Sequence, residues 1–212
     1  MELTADALLL DLDGTLIDST PAIVRSWLTW AGEYGVDPQL LHSAHGRPTA
    51  EIVASLLPAA DVPAAVTRLD GMELEDVEGV RALPGAVELL EALPPGRWAV
   101  VTSCGAALAA ARMGAAGLPH VPVLVTVDDV SRGKPDPEPY LAGAARLGFE
   151  PDRCVVLEDA PSGIAAARAA GMRVVAVTTT HAEGELDADL VVATPAGLRV
   201  DGNGPLVVSA LA

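Results

Sequence analysis

Residues 8–19, LLLDLDGTLIDS, decide how the rest of the chain is read. Leu8, Leu9 and Leu10 run straight into Asp11, and so brief an apolar run, bounded by a charge and a glycine turn, suits a fully buried central strand better than a helix. Its polar end is where chemistry would gather. Side chains alternate along a strand, so Asp11 and Asp13 are expected on one side and Leu12 on the other, until Gly14 lets the backbone turn sharply. Two carboxylates in one small site repel each other unless a proton or a cation intervenes. The pair alone is also compatible with a turn carrying two solvated acids.

Working outward, the segment after Gly14 changes character. Pro21 to Tyr34 has helical spacing, with Ile23, Trp27, Trp30 and Tyr34 on one core-facing side, Thr20 as N-cap and Gly35 as the stop. Further short helices are expected around Pro48 to Leu57 and Pro63 to Val77, with no convincing strand before Arg81. Residues 19–82 therefore read as an all-helical insertion, and residues 1–18 with 83–212 as the domain that receives it.

From Leu83 helices and strands alternate. Helices are expected over Ala86 to Leu93, Ala106 to Ala116, Pro137 to Leu147 and Pro161 to Ala170. Strands are expected over Trp98 to Thr102, Val121 to Val127, Cys154 to Glu158 and Arg173 to Thr178, with an edge strand near Leu190 to Val192. Such alternation implies an α/β fold, an open parallel sheet covered on both faces. The alanine-rich helices read as close helix-to-sheet packing, and the tail after Asp201 carries no pattern.

Composition narrows the function. Half of the 212 residues are hydrophobic, which supplies an ample core, while 3% aromatics leaves Ala, Val and Leu to fill it. A formal net charge of -16 argues against nucleic acid or an anionic membrane as partner. An anionic ligand would have to be captured by local positive features, not steered by the overall field. Cys104 and Cys154 are too few for a disulfide framework, and neither a basic-then-apolar leader nor a bilayer-length apolar run is present, so a reduced cytoplasm is expected.

In open parallel sheets ligands bind beyond the carboxyl ends of the strands. Those ends carry Asp11 and Asp13, then Thr102 and Ser103, then Glu158 and Asp159, with Lys134 in the loop SRGKPDP ahead of a helix opened by Asp136 and Pro137. Each has a plain reading: Thr102, Ser103 and Asp159 as helix caps, Lys134 as a solvated charge. Together they make a phosphoryl-transfer set. One carboxylate attacks phosphorus, a second handles protons, hydroxyl and amide donors bind phosphoryl oxygens, Lys134 offsets charge, and the remaining acids hold Mg²⁺.

This constellation resembles the haloacid dehalogenase superfamily, in the branch with a helical cap after the first strand of a Rossmann-like core. DLDGT corresponds to its first motif, Thr102-Ser103 to its second, Lys134 to its third and Glu158-Asp159 to its fourth. GKPDPEPYLAGAARLGF and LEDAPSGIAAARAAGM look like the sugar and polyol phosphatases, the group of 2-deoxyglucose-6-phosphatases and glycerol-3-phosphatases, and the cap segment His45-Gly46-Arg47 resembles their His-Gly element. Cys104 departs from the glycine common after the Thr-Ser pair, and a thiol at a helix N-terminus can be acidified. The resemblance implies an aspartyl-phosphate on Asp11 and acid, then base, chemistry by Asp13. It implies Mg²⁺ on the carboxylates of Asp11 and Asp159 and the carbonyl of Asp13, with Glu158 as orienter or extra ligand. His45, Gly46 and Arg47 would contact a small phosphorylated sugar or polyol.

A sugar phosphomutase of the β-phosphoglucomutase type shares all four motifs. A dehalogenase needs neither Mg²⁺ nor an acid at Asp13. A phospho-accepting receiver domain puts its acceptor on a middle strand and has no helical insertion.

Overall fold

The computed structural model describes residues 2–43, 48–202 and 205–211, so His45, Gly46 and Arg47 lie outside the described residues. In chain order the strands are β1 (Glu2–Ala5), β2 (Ala7–Leu10), β3 (Ile17–Asp18), β4 (Arg81–Ala82), β5 (Trp98–Val101), β6 (Leu124–Val125), β7 (Cys154–Glu158), β8 (Arg173–Val177), β9 (Leu190–Val192), β10 (Leu198–Asp201) and β11 (Leu206–Ala210). The α-helices are α1 (Thr20–Tyr34), α2 (Thr49–Leu56), α3 (Val62–Glu75), α4 (Ala86–Ala92), α5 (Ala106–Ala115), α6 (Glu138–Leu147) and α7 (Pro161–Ala169).

Six of the strands form one parallel sheet in the order β6-β5-β2-β7-β8-β9. The leucine run is at its centre, with Leu9 and Leu10 fully buried, because a strand covered on both faces has no side that tolerates polarity. Alternate residues feed two cores. Leu8, Leu10, Val100 and Leu157 pack on one face, and Leu9, Val101, Val156 and Tyr140 on the other. The alanines of the covering helices allow that approach: Ala109 on α5 and Ala166 and Ala167 on α7 are fully buried.

Several details differ from the sequence reading. The first helix begins one residue earlier, with Ser19 as its N-cap; the Ser19 side chain makes no capping bond, and its hydroxyl donates to Asp13. The strand expected over Val121 to Val127 shrinks to Leu124–Val125, an edge strand that pairs with Val100 and Val101. The tail holds a strand: β10 and β11 form a three-stranded antiparallel sheet with β1, in which Leu206 and Val208 are buried in the core. That pairing joins opposite ends of the chain, so no local window reveals it.

The helices α1, α2 and α3 all fall between β3 and β4 and have their own apolar cluster, in which Trp27, Trp30, Val53 and Leu69 are buried. The Trp30 indole N–H donates to the carbonyl of Ala65 at 3.0 Å, tying α1 to α3. β3 and β4 are a two-residue antiparallel ladder (Ile17 with Ala82, Asp18 with Arg81) that the sequence did not announce. It stitches the exit of the chain to its return, and Arg81 adds an ion pair to Asp18 at 2.7 Å.

Candidate active site

The site begins with the turn after β2. The Asp11 amide still follows the sheet, donating to Leu157 O at 3.0 Å, whereas Leu16 and Ile17 already donate back to Leu12 O. The chain reverses at Gly14, whose φ of +90° suits glycine and whose closeness to Asp159 forbids a larger residue. A Cβ there would stand 2.3 Å from Asp159 Oδ2.

Asp11 is buried, and Lys134 reaches it from the loop before α6 with Nζ 2.6 Å from Oδ1. Lys134 is 1% exposed and also donates to Glu158 Oε1 at 2.8 Å and to the Val101 carbonyl at 3.0 Å. Burial by itself would lower its pKa, but the carboxylates of Asp11 and Glu158 outweigh that and raise it well above the ordinary lysine value. The ammonium is thus a permanent charge, not a solvated one.

Glu158 has both oxygens occupied. Oε1 takes Lys134 and the Tyr140 hydroxyl, and Oε2 takes the backbone N–H groups of Asp159 and Ala160. Asp159 is not a helix cap either: the α7 N-cap is Ala160, and the Asp159 carboxylate accepts from Thr15 Oγ1 at 3.0 Å and from Thr180 Oγ1.

Asp11, Glu158 and Asp159 are buried with one ligand oxygen from each within 4.8 Å of the others. Lys134 pairs with Asp11 and Glu158, and among the described residues no cation pairs with Asp159. Burial first, with Glu158 and Asp13 adding to it against the pull of Lys134, pushes Asp11 up to about 7. Burial, then Glu158 and Asp11, raise Asp159 well above its ordinary value. An under-neutralised group of hard oxygen donors fits a hard divalent cation, which would relieve the repulsion.

Asp13 is two residues away but differently partnered. Ser19 Oγ donates to its Oδ1 at 2.6 Å and Arg112 of α5 donates to the same oxygen at 3.0 Å. The other terminal nitrogen of Arg112 donates to Glu73 on α3 at 3.1 Å. Neither Arg112 nor Glu73 stood out in the sequence, where an arginine in an alanine-rich helix reads as a solvated charge.

Thr102 and Ser103 lie beside Asp11 and Asp13 in the wall of a cavity of about 300 Å³. They do not cap α5 through its first amide, which donates to Asp128 Oδ2 at 2.9 Å instead. Thr102 Oγ1 accepts from the Cys104 amide at 3.3 Å. Cys104 is not acidified; burial pushes its thiol up. The outer wall of the cavity is apolar, formed by Ile23, Trp27, Leu41 and Ile52 from the helices between β3 and β4. The structure therefore gathers Asp11, Asp13, Thr102, Ser103, Glu158 and Asp159 around one chamber, with Lys134 behind Asp11.

The site sits on a parallel α/β sheet, with acids at the carboxyl ends of its central strands. Residues 8–177 match the haloacid dehalogenase-like hydrolase family, and the chain belongs to it. It is 45% identical over 175 residues to hexitol phosphatase A of Escherichia coli (strain K12), covering 80% of this chain and 81% of that protein. It is 38% identical over 194 residues to glycerol-1-phosphate phosphohydrolase 1 of Saccharomyces cerevisiae, covering 85% and 77%. Among solved structures, a hydrolase from Pseudomonas syringae superposes with a TM-score of 0.81 at 30% identity, covering 90% of this chain and 94% of that one.

Proposed function

We propose that this protein is a Mg²⁺-dependent phosphatase of small phosphorylated polyols and sugars, working through an aspartyl-phosphate on Asp11. The observation that carries the reading is the unequal partnering of two neighbouring carboxylates over one chamber. Asp11 is held by Lys134 at Oδ1 and sits among acids, while Asp13 is held at one oxygen by Ser19 and Arg112. The first suits nucleophilic attack and the second suits proton transfer.

In the first half-reaction an Asp11 oxygen forms a bond to phosphorus as the ester P–O bond breaks, and Asp13 passes its proton to the departing alkoxide. In the second, water attacks phosphorus, gives its proton to the Asp13 carboxylate, and releases Asp11. Lys134, fixed by its three acceptors, offsets charge on the phosphoryl group, and Thr102 and Ser103 bind its oxygens. Asp11 and Asp159, with the Asp13 carbonyl, would hold Mg²⁺, which would supply charge neutralisation at the phosphoryl oxygens. Glu158, its oxygens each holding two donors, orients Lys134 and the start of α7 and is within reach as a further ligand.

Residues 19–82 act as the lid that selects the leaving group, with His45, Gly46 and Arg47 as candidate contacts, while the apolar chamber wall excludes water. The names of the relatives, hexitol phosphatase A and glycerol-1-phosphate phosphohydrolase 1, support polyol phosphates as the substrate class. The free thiols Cys104 and Cys154 suit a reduced cytoplasm.

The test is phosphate release from a panel of hexitol, glycerol and sugar monophosphates with Mg²⁺ and with excess chelator, beside conversion of glucose 1-phosphate to the 6-phosphate. Release that chelator abolishes is expected. Interconversion without release would assign a phosphomutase, and full activity in chelator would remove the metal from the mechanism.

A further inference from the structure

The contact between Arg112 and Asp13 belongs to none of the four strand-end motifs. Arg112 projects from α5, is 3% exposed, and is paired with two carboxylates, one on the β2 turn and one on α3. Burying a guanidinium costs several kcal/mol unless its partners compensate, so two acids here are a requirement and not an ornament. Among the described residues its buried Nε has no partner, which leaves the two terminal nitrogens to set its orientation. They do so between Asp13 and Glu73, 99 and 39 positions away in the chain.

Two features give this pair a purpose. Both donors to Asp13 meet the same oxygen, Oδ1, so the carboxylate cannot rotate without breaking a bond to Ser19 or to Arg112. No described donor meets Oδ2, the oxygen left to carry a proton. Glu73, for its part, is buried on α3, and its one described hydrogen bond is to Arg112. It lies where the inserted helices meet the rest of the chain, at a boundary so close elsewhere that a Cβ on Gly133 would stand 2.3 Å from Pro48 Cγ.

We propose that Arg112, seated on Glu73, is the positioning residue for Asp13: it pins Oδ1, so that Oδ2 faces the leaving oxygen, and it is correctly seated when α3 is docked against α5. The inference rests on the reading of Asp13 as proton carrier given above. The proton that Oδ2 delivers goes to the ester oxygen as its bond to phosphorus breaks, and the one it regains comes from the attacking water. The fork of the guanidinium matters because each acid meets its own terminal nitrogen in a fixed plane, which sets the direction of Asp13 more tightly than the single nitrogen of an ammonium.

The experiment compares wild type, Arg112→Met, Arg112→Lys, Glu73→Ala and the Arg112→Met/Glu73→Ala pair on a hexitol monophosphate and on p-nitrophenyl phosphate. The alkoxide needs a proton to leave and the nitrophenolate does not. Single-turnover release of the alcohol or phenol isolates the first step. Arg112→Met is expected to slow the hexitol substrate about 10²-fold with KM within about threefold, while the aryl substrate shifts less than about fivefold. Glu73→Ala should give the same selective pattern in weaker form, and the double variant should be no worse than Arg112→Met, because the two act in series. Arg112→Lys should recover part of the hexitol rate. Equal loss on both substrates, or a raised KM with unchanged kcat, overturns the proposal and makes Arg112 a structural prop or a substrate contact. If Arg112→Met does not fold, Glu73→Ala and Arg112→Lys decide by the same ratio, and a ratio like that of wild type overturns it. A wild-type chain that releases no phosphate overturns the phosphatase reading together with this inference. An active wild type with a uniform loss across variants overturns this inference alone.

Discussion

Gly163 and Glu158 stand so close that a Cβ on Gly163 would lie 1.6 Å from Glu158 Oε1. The glycine in the first turn of α7 therefore leaves the space in which Glu158 collects Lys134, Tyr140 and two backbone amides. Gly163→Ala is expected to displace Glu158 and, through it, Lys134. Overpacking of this kind costs about 1–3 kcal/mol. A lowered Tm together with a loss of kcat checks it; wild-type kcat in the variant would mean that Glu158 has room to move.

Lys134→Met tests the ammonium buried between two acids. Removing it leaves Asp11 and Glu158 uncompensated, and breaking a buried pair from one side costs about 3–5 kcal/mol. Loss of fixed positive charge at the phosphoryl group should lower kcat by about 10²–10³ more than it changes KM. Urea unfolding and steady-state kinetics measure the two effects separately, and unchanged kcat would place Lys134 outside the reaction.

Asp11 makes the metal-free protein pH-sensitive in a defined direction. Its folded value of about 7 exceeds the ordinary 3.8, so the folded state binds the extra proton between those values. Stability from this group is then complete near pH 4, falls as pH rises toward about 7, and is level above that. Asp11→Asn cannot titrate, so in chelator its stability relative to wild type should climb across that window. Urea midpoints at several pH values check the slope, and Asp11→Asn should also abolish turnover. A constant difference between the two proteins would contradict the burial argument.

Ile52 of α2 lines the chamber above the acids. Ile52→Phe should narrow that chamber, raising KM about tenfold for a hexitol phosphate and less for a glycerol phosphate, because packing against one wall discriminates by about 1–3 kcal/mol. Substrate ranking measures this. An equal change for all substrates would separate Ile52 from selection.

Leu8 to Leu10, the glycine stops at Gly35 and Gly148, and the alternation from Leu83 onward are local patterns, and a single window of sequence reveals them because each reflects burial or turn geometry within a few residues. The strand ends that carry Asp11, Thr102, Glu158 and Asp159 follow from that pattern, since a parallel sheet brings such ends together. The sheet joining Glu2–Ala5 to Leu206–Ala210 had no such signal, because its register is set by partners at opposite ends of the chain. The same holds for Gly163 beneath Glu158 and for Arg112 between Asp13 and Glu73. Sequence alone established which acids converge. Only tertiary packing decided which of their oxygens are held and which are left to react, because the environment of a buried charge is made by residues distant in the chain.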